Sequence, residues 1–229
     1  MIYKFPVLLL LISSSLTSVF AQEINQFDQE GKRHGIWQKK YENTDQLRYE
    51  GTFEHGKEVG EFKFYKPSSG SQPTATKQFV KDSDTVVVQY YTSKGTLISK
   101  GQMLNKKRVG DWTYFHQDGK AIMMTEKYID GMLNGPQKTY FENGKLTEEA
   151  VYVNDKKEGK RVVYSEKGNK LKEFTYVNDK LEGLASYYEP DGTLSIEGVY
   201  KNDKKNGVWK YYENGKLKEE KTFPLKVKK

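Results

Sequence analysis

Glycines recur at a nearly fixed interval through almost the whole chain: Gly35, Gly60, Gly110, Gly135, Gly159, Gly183 and Gly207 are spaced 25, 50, 25, 24, 24 and 24 residues apart. The double gap holds a degenerate copy with Val86 in the glycine position. Five residues past each of these positions stands an aromatic ring: Tyr65, Tyr91, Phe115, Tyr140, Tyr164, Tyr188 and Tyr212. The first copy carries its ring one place later, at Tyr41. Such a period marks a repeat array, in which each unit buries its apolar side against its neighbours and no central core forms. Composition agrees: only 35% of residues are hydrophobic, so 17 tyrosines and 11 phenylalanines carry much of the area that can be buried. Low hydrophobicity also suits disorder, but disordered chains are poor in aromatics and this one has 14%.

Each unit reads as a β-hairpin. In the copy from Asn206 to Phe223, Trp209 and Tyr211 sit two apart and share a face, with Lys210 and Tyr212 on the other. Asn214-Gly215 is the strongest short-range hairpin signal, and Asn143-Gly144 repeats it. The return strands alternate too: Leu194, Ile196, Gly198 and Tyr200 fall on one face, as do Leu47, Tyr49, Gly51 and Phe53. Gly51, Gly101 and Gly198 lie mid-strand, where glycine normally weakens a strand; the expected reason is a large ring from the neighbouring strand lying over the missing side chain. Links such as Asn154-Asp155-Lys156-Lys157-Glu158-Gly159 are polar and turn-prone.

Eight units begin near residues 31, 56, 81, 106, 131, 155, 179 and 203. A lone hairpin is marginal in water, so the predicted fold is all-β: an elongated, twisted antiparallel meander of stacked hairpins, on the order of 75 Å long at ~4.8 Å per strand. A period of two, with Gly and Asn recurring, gives helices no support. Unit two is the poorest copy, and Pro73 in its return strand predicts weak pairing or a bulge.

The first 21 residues read as a signal peptide, with Lys4 before the apolar run Val7–Ile12 and the small-residue pattern Val19-Phe20-Ala21 at its end. The expectation is export after cleavage near Ala21, to the periplasm, the outer envelope or the medium. A lead-in (22–30), the array (31–223) and a basic tail (224–229) follow. The absence of cysteine excludes disulfides, thiolate metal sites and a cysteine nucleophile. The net charge of +7 is modest. Nucleic acid is not expected as a partner of an exported chain. The lysines of the links, such as Lys156-Lys157 and Lys204-Lys205, read first as edge protection, and second as peripheral contact with anionic lipid or acidic polysaccharide.

The pattern Gly-x-Trp-x-Tyr-Tyr…Glu-Gly-x-Tyr resembles the second variant of the MORN repeat. Gly110–Phe115, Gly207–Tyr212, Glu50–Phe53 and Glu197–Tyr200 carry the match, which extends over roughly 31–223. This variant is common in bacterial proteins, many described as YwqK-like antitoxins of toxin–antitoxin systems. The resemblance implies consecutive antiparallel hairpins in an elongated twisted sheet, and a role as scaffold or interaction surface, with lipid binding proposed for some members. An inhibitor of an intracellular toxin needs no signal peptide, so the antitoxin reading fits only a toxin met outside the cytoplasm.

No catalytic set stands out: Gly-x-Ser-x-Gly, a P-loop and His-Glu-x-x-His are all missing. The histidines are His34, His55 and His116; the first two are placed in inter-unit links, and with no carboxylate at a fixed spacing they assign no metal. No cofactor is assigned either. Glu50, Glu149, Glu173, Glu197 and Glu220 recur in register, read as a solvated row balanced by cross-strand lysines in preference to an acid–base or calcium site. The candidate binding residues are the aromatic row Tyr65, Tyr91, Phe115, Tyr140, Tyr164, Tyr188 and Tyr212, which faces away from Trp112 and Trp209. Exposed, it would bind sugar, peptide or lipid headgroups; closed over by sheet twist, it would be core. The sequence thus points to an exported, non-enzymatic repeat scaffold for a protein or envelope partner, with a toxin-neutralising protein or a weak binder of anionic membrane as alternatives.

Overall fold

The computed structural model describes residues 23–80 and 83–224. The expected leader lies outside the described residues, as does the tail beyond residue 224. Among the described residues there is no helix, and eighteen strands form one open antiparallel sheet. A two-residue strand β1 (Gln26–Phe27) leads in. Hairpin one is β2 (Arg33–Lys40) and β3 (Leu47–Glu54); hairpin two is β4 (Lys57–Phe64) and β5 (Ala75–Phe79); hairpin three is β6 (Thr85–Tyr91) and β7 (Leu97–Leu104). Hairpin four is β8 (Lys107–Phe115) and β9 (Ile122–Ile129). Hairpin five has a first strand in two pieces, β10 (Met132–Leu133) and β11 (Gly135–Tyr140), and returns through β12 (Leu146–Val153). Hairpins six, seven and eight are β13 (Lys156–Tyr164) with β14 (Lys170–Val177), β15 (Lys180–Tyr188) with β16 (Leu194–Lys201), and β17 (Lys204–Glu213) with β18 (Lys216–Phe223). Each strand pairs with its neighbours in sequence, as a meander requires.

One face carries the rings. Along its centre runs a row that mixes large side chains with small or missing ones. Trp37 stands opposite Gly51, Val88 opposite Gly101, Arg161 opposite Ala150 and Phe174, and Ala185 opposite Phe174 and Gly198. Across the hairpin junctions Phe62 lies over Gly51, Trp112 over Gly101 and Trp209 over Gly198, so closely that a Cβ on any of these glycines would fall inside the ring. Trp112, Trp209, Phe62, Val88 and Ala185 are 0–1% exposed. The mid-strand glycines are therefore the floor beneath the rings, as their position predicts. A buried ring of this kind removes roughly 200 Å² from water, worth about 5 kcal/mol before ordering costs.

The marker glycines have a separate cause. Thr52 pairs with Val59 and Glu50 with Lys63, so β4 spends four steps where β3 spends two. Gly60 sits in this bulge at φ +68°, a conformation that a side chain resists. The same shift recurs at the other junctions that carry a marker glycine, for example where Lys100 pairs with Thr113 and Gln102 with Val109. Between β5 and β6 the ladder runs unbroken from Ala75–Tyr90 to Phe79–Val86. No left-handed residue is needed there, and valine occupies the position. Pro73 precedes β5 and lies outside it, and β5 pairs in unbroken register with both neighbours. The weak pairing or bulge predicted for that strand is replaced by a shorter strand that starts beyond the proline.

The tightest turns are the links. Asn154 and Asp155 both take positive φ (49° and 66°), the two-residue turn that matches strand twist. Their aspartates also join successive hairpins: the backbone N–H groups of Leu133, Lys157 and Leu181 each donate to the carboxylate of Asp155, Asp179 and Asp203 in turn, at 2.7 Å. Asn214-Gly215 is the same kind of turn (φ 51° and 73°), whereas at Asn143-Gly144 the glycine alone is left-handed and closes a three-residue loop, with the Phe141 N–H donating to the Lys145 carbonyl at 2.8 Å.

Candidate binding face

On the side away from the rings, one ladder crosses hairpins one to eight with each residue directly opposite the next. It runs Gln38, Glu50, Lys63, Thr76, Gln89, Lys100, Thr113, Thr125, Lys138, Glu149, Val162, Glu173, Ser186, Glu197, Lys210, Glu220. The recurring glutamates are members of this ladder. Lysines balance them: Lys63 lies 3.9 Å from Glu50, Lys210 3.6 Å from Glu197, and Lys160 and Lys170 at 2.6 and 2.7 Å from Glu173. Each pair is exposed enough to contribute little alone.

The aromatic row flanks the ladder. Tyr65 is buried, while Tyr91, Phe115, Tyr140, Tyr164, Tyr188 and Tyr212 are half-buried. The hydroxyls of Tyr65, Tyr164 and Tyr212 donate to Glu50, Glu149 and Glu197, each at 2.7 Å. Where the ladder substitutes Lys100 for glutamate, the row substitutes Phe115 for tyrosine, and the Lys100 ammonium stands 5.7 Å from that ring's centroid. The hydroxyl–carboxylate bond gives way to a cation over a π face. Tyr65, Phe115, Tyr164 and Tyr212 are therefore tied down by the preceding hairpin, whereas the Tyr91 hydroxyl donates to Gln89 of its own strand at 2.6 Å.

Burial, and then the hydrogen bond to Glu149, push the Tyr164 phenol up to about 12. Because the folded value lies above the ordinary one of 10.0, the stabilisation from this bond is fully present below pH 10 and is lost as pH rises toward 12. Titration of ring-labelled tyrosine by NMR should show Tyr164 protonated well past pH 10, and Glu149→Gln should lower its midpoint while leaving Tyr212 unmoved. An unchanged Tyr164 midpoint in that variant would remove the role given to Glu149.

Beyond the ladder, Ile129, Val151, Val153, Val177, Leu184, Val199 and Val208 emerge on the same face and are exposed, Leu184 to 55%. Leu184 and Val199 are direct cross-strand partners, and Val151 and Val153 are successive outward residues of β12. Single exposed apolar residues are ordinary, but seven on one face of hairpins four to eight are not. These residues share no period with the aromatic row; their one sequence signal is the outward alternation of β12, β14 and β16.

The ring face also holds a polar interruption. Glu126 is buried where Gly51 and Gly198 stand in other units, and it accepts from the Tyr128 hydroxyl (2.7 Å) and from the amide of Gln137 (2.8 Å). Arg108 lies 4.4 Å over Trp112 and donates to the hydroxyls of Tyr114 (2.7 Å) and Tyr128 (3.1 Å). Burial, reinforced by Glu126, holds the Tyr114 phenol far above its usual range. Arg161 grips Glu148 through two nitrogens at 2.7 and 2.6 Å. No buried side-chain nitrogen or oxygen among the described residues lacks a partner. His116 donates to the Tyr140 carbonyl at 3.0 Å, one repeat away.

The MORN repeat variant profile matches residues 133–154, 181–202 and 205–223, which are hairpins five, seven and eight. These three hairpins are MORN repeats. The matched hairpins hold Val151, Val153, Leu184, Val199 and Val208 of the exposed apolar row. No curated protein matches the chain. MORN repeats in general are non-enzymatic scaffolds that bind proteins or membranes.

Proposed function

We propose that this protein is an exported, non-enzymatic scaffold that docks a protein of the cell envelope on the ladder face of hairpins four to eight. The observation that carries the reading is the exposed apolar set Ile129, Val151, Val153, Val177, Leu184, Val199 and Val208, lying beside tyrosines held in place by their own glutamates. Rigid aromatic rings next to apolar side chains, rimmed by charge, are the usual anatomy of a protein-binding patch. The signal-peptide pattern of residues 1–21 supports export.

The test is capture from a native envelope extract by the parent chain, by a Leu184→Ser/Val199→Ser/Val208→Ser variant, and by a Tyr164→Ala/Tyr188→Ala/Tyr212→Ala variant. A specific protein retained by the parent and lost from both variants is the expected result. Identical retention by all three, or none by any, overturns the reading. Vesicles with anionic lipid form the second arm: flotation that falls steeply with salt, without a protein partner, assigns the face to membrane instead. A captured toxin would assign the chain to the neutralising class.

A further inference from the structure

The N-terminal end of the array brings together three side chains that sequence spacing does not connect. Asp28 comes from the loop between β1 and β2, His34 from β2 itself, and His55 from the two-residue turn into β4. One ligand atom from each lies within 4.8 Å of the other two. The His55 Nδ1 is 2.8 Å from Asp28 Oδ2, and the two imidazoles lie with centroids 5.0 Å apart and planes tilted by 44°. His34, expected in a link, is a strand residue, its Cα paired with Gln26, and this pairing places the lead-in beside it.

We propose that Asp28, His34 and His55 form a site for one divalent transition-metal ion of the zinc class. The donor set is right for that chemistry: two neutral imidazoles and one carboxylate suit zinc and its neighbours, while calcium and magnesium demand more oxygens. The carboxylate is already oriented. Its Oδ1 accepts the backbone N–H groups of Glu30 (3.0 Å) and Lys32 (2.8 Å), which leaves Oδ2 turned toward His55. The loop behind it is closed by the Asp28 N–H donating to the Lys32 carbonyl at 2.8 Å. The turn that carries His55 is anchored as well, since the Gly56 N–H donates to the Arg33 carbonyl at 2.8 Å. The Lys32 ammonium is paired with Glu30 at 2.6 Å.

Metal–ligand bonds of about 2.0–2.1 Å in a tetrahedron put ligand atoms about 3.3 Å apart. The three donors thus need to move by no more than about 1–2 Å, which exposed imidazoles do by side-chain rotation. The metal takes the place of the His55–Asp28 hydrogen bond, and water fills the fourth position. Its effect is mechanical: it clips the lead-in, hairpin one and the entry to hairpin two, capping the open end of an array whose terminal units have one neighbour each.

Calorimetric titration of the untagged full chain with Zn²⁺ at neutral pH, beside Mg²⁺ as a control, tests this. The expected result is one equivalent of Zn²⁺, no Mg²⁺ uptake, and a higher Tm with Zn²⁺ present. The His34→Ala/His55→Ala variant should lose affinity tenfold or more, as should Asp28→Asn, which keeps the oxygen facing the loop amides. Near-UV circular dichroism of the tryptophans shows whether each variant is folded. No saturable uptake, or uptake of the same affinity in both folded variants, overturns the site.

Discussion

Replacing Trp209 by alanine should cost about 3–5 kcal/mol in a denaturant titration, whereas Lys210→Ala, one residue along the same strand, should cost under about 1 kcal/mol. The indole is 0% exposed. It sits edge-on to Tyr200 at 5.0 Å and near Phe223 at 6.3 Å, its Nε1 donates to the Val199 carbonyl at 3.1 Å, and the Lys205 ammonium lies 4.1 Å from its centroid. Removing it empties the centre of the C-terminal cluster that also contains Phe174 and Ala185. Lys210 points to the opposite face, and what it loses is a 3.6 Å pairing with Glu197 in partial solvent. Equal effects from the two substitutions would mean that the faces have been assigned the wrong way round.

Gly198→Ala is the second large effect, and its sign depends on Trp209. A single methyl at position 198 collides with the indole, which Tyr200 and Phe223 flank and keep from moving aside. Overpacking of this kind costs about 1–3 kcal/mol. In a Trp209→Ala background the collision is gone, and Gly198→Ala should become neutral or stabilising, because alanine restricts the unfolded chain more than glycine does. The double-mutant cycle measures this coupling directly. Strict additivity would show that the glycine is there for some reason other than the ring above it. The chain already contains the inverse arrangement, with Phe174 on the floor and Ala185 over it.

Those features of the fold that repeat were legible in the sequence. The 24-residue rhythm, Trp209 two residues past Gly207, and the bare positions Gly51, Gly101 and Gly198 all have local causes that act within one hairpin and its neighbour. What departs from the repeat was harder to read. Val86 reads as decay of a glycine, but the pairing of β5 with β6 has no bulge to accommodate. Glu126 in a glycine position looks like a surface residue until Gln137 and Tyr128 are seen to satisfy it. The link Asn154-Asp155 looks merely polar, but both residues are left-handed and the carboxylate receives an amide 22 positions earlier.

The candidate site divides the same way. The tyrosine row and the glutamate row were each visible from their period, while the bonds between them, from Tyr164 to Glu149 and from Tyr212 to Glu197, span 15 residues and follow only from register. Asp28 was invisible as a partner for His34 and His55, because nothing in the spacing announces that the lead-in forms β1 alongside β2. Exposed valines on β12, β14 and β16 carry no motif at all.

The central claim is that stability passes from hairpin to hairpin, with no common core. Native-state hydrogen exchange on the Trp209→Ala variant tests it most directly. Amides of β15 to β18 should lose protection tenfold or more, while those of β2 to β7, and the Trp112 indole N–H that donates to the Gln102 carbonyl at 3.1 Å, should exchange as in the parent. A uniform loss of protection along the whole chain would contradict it.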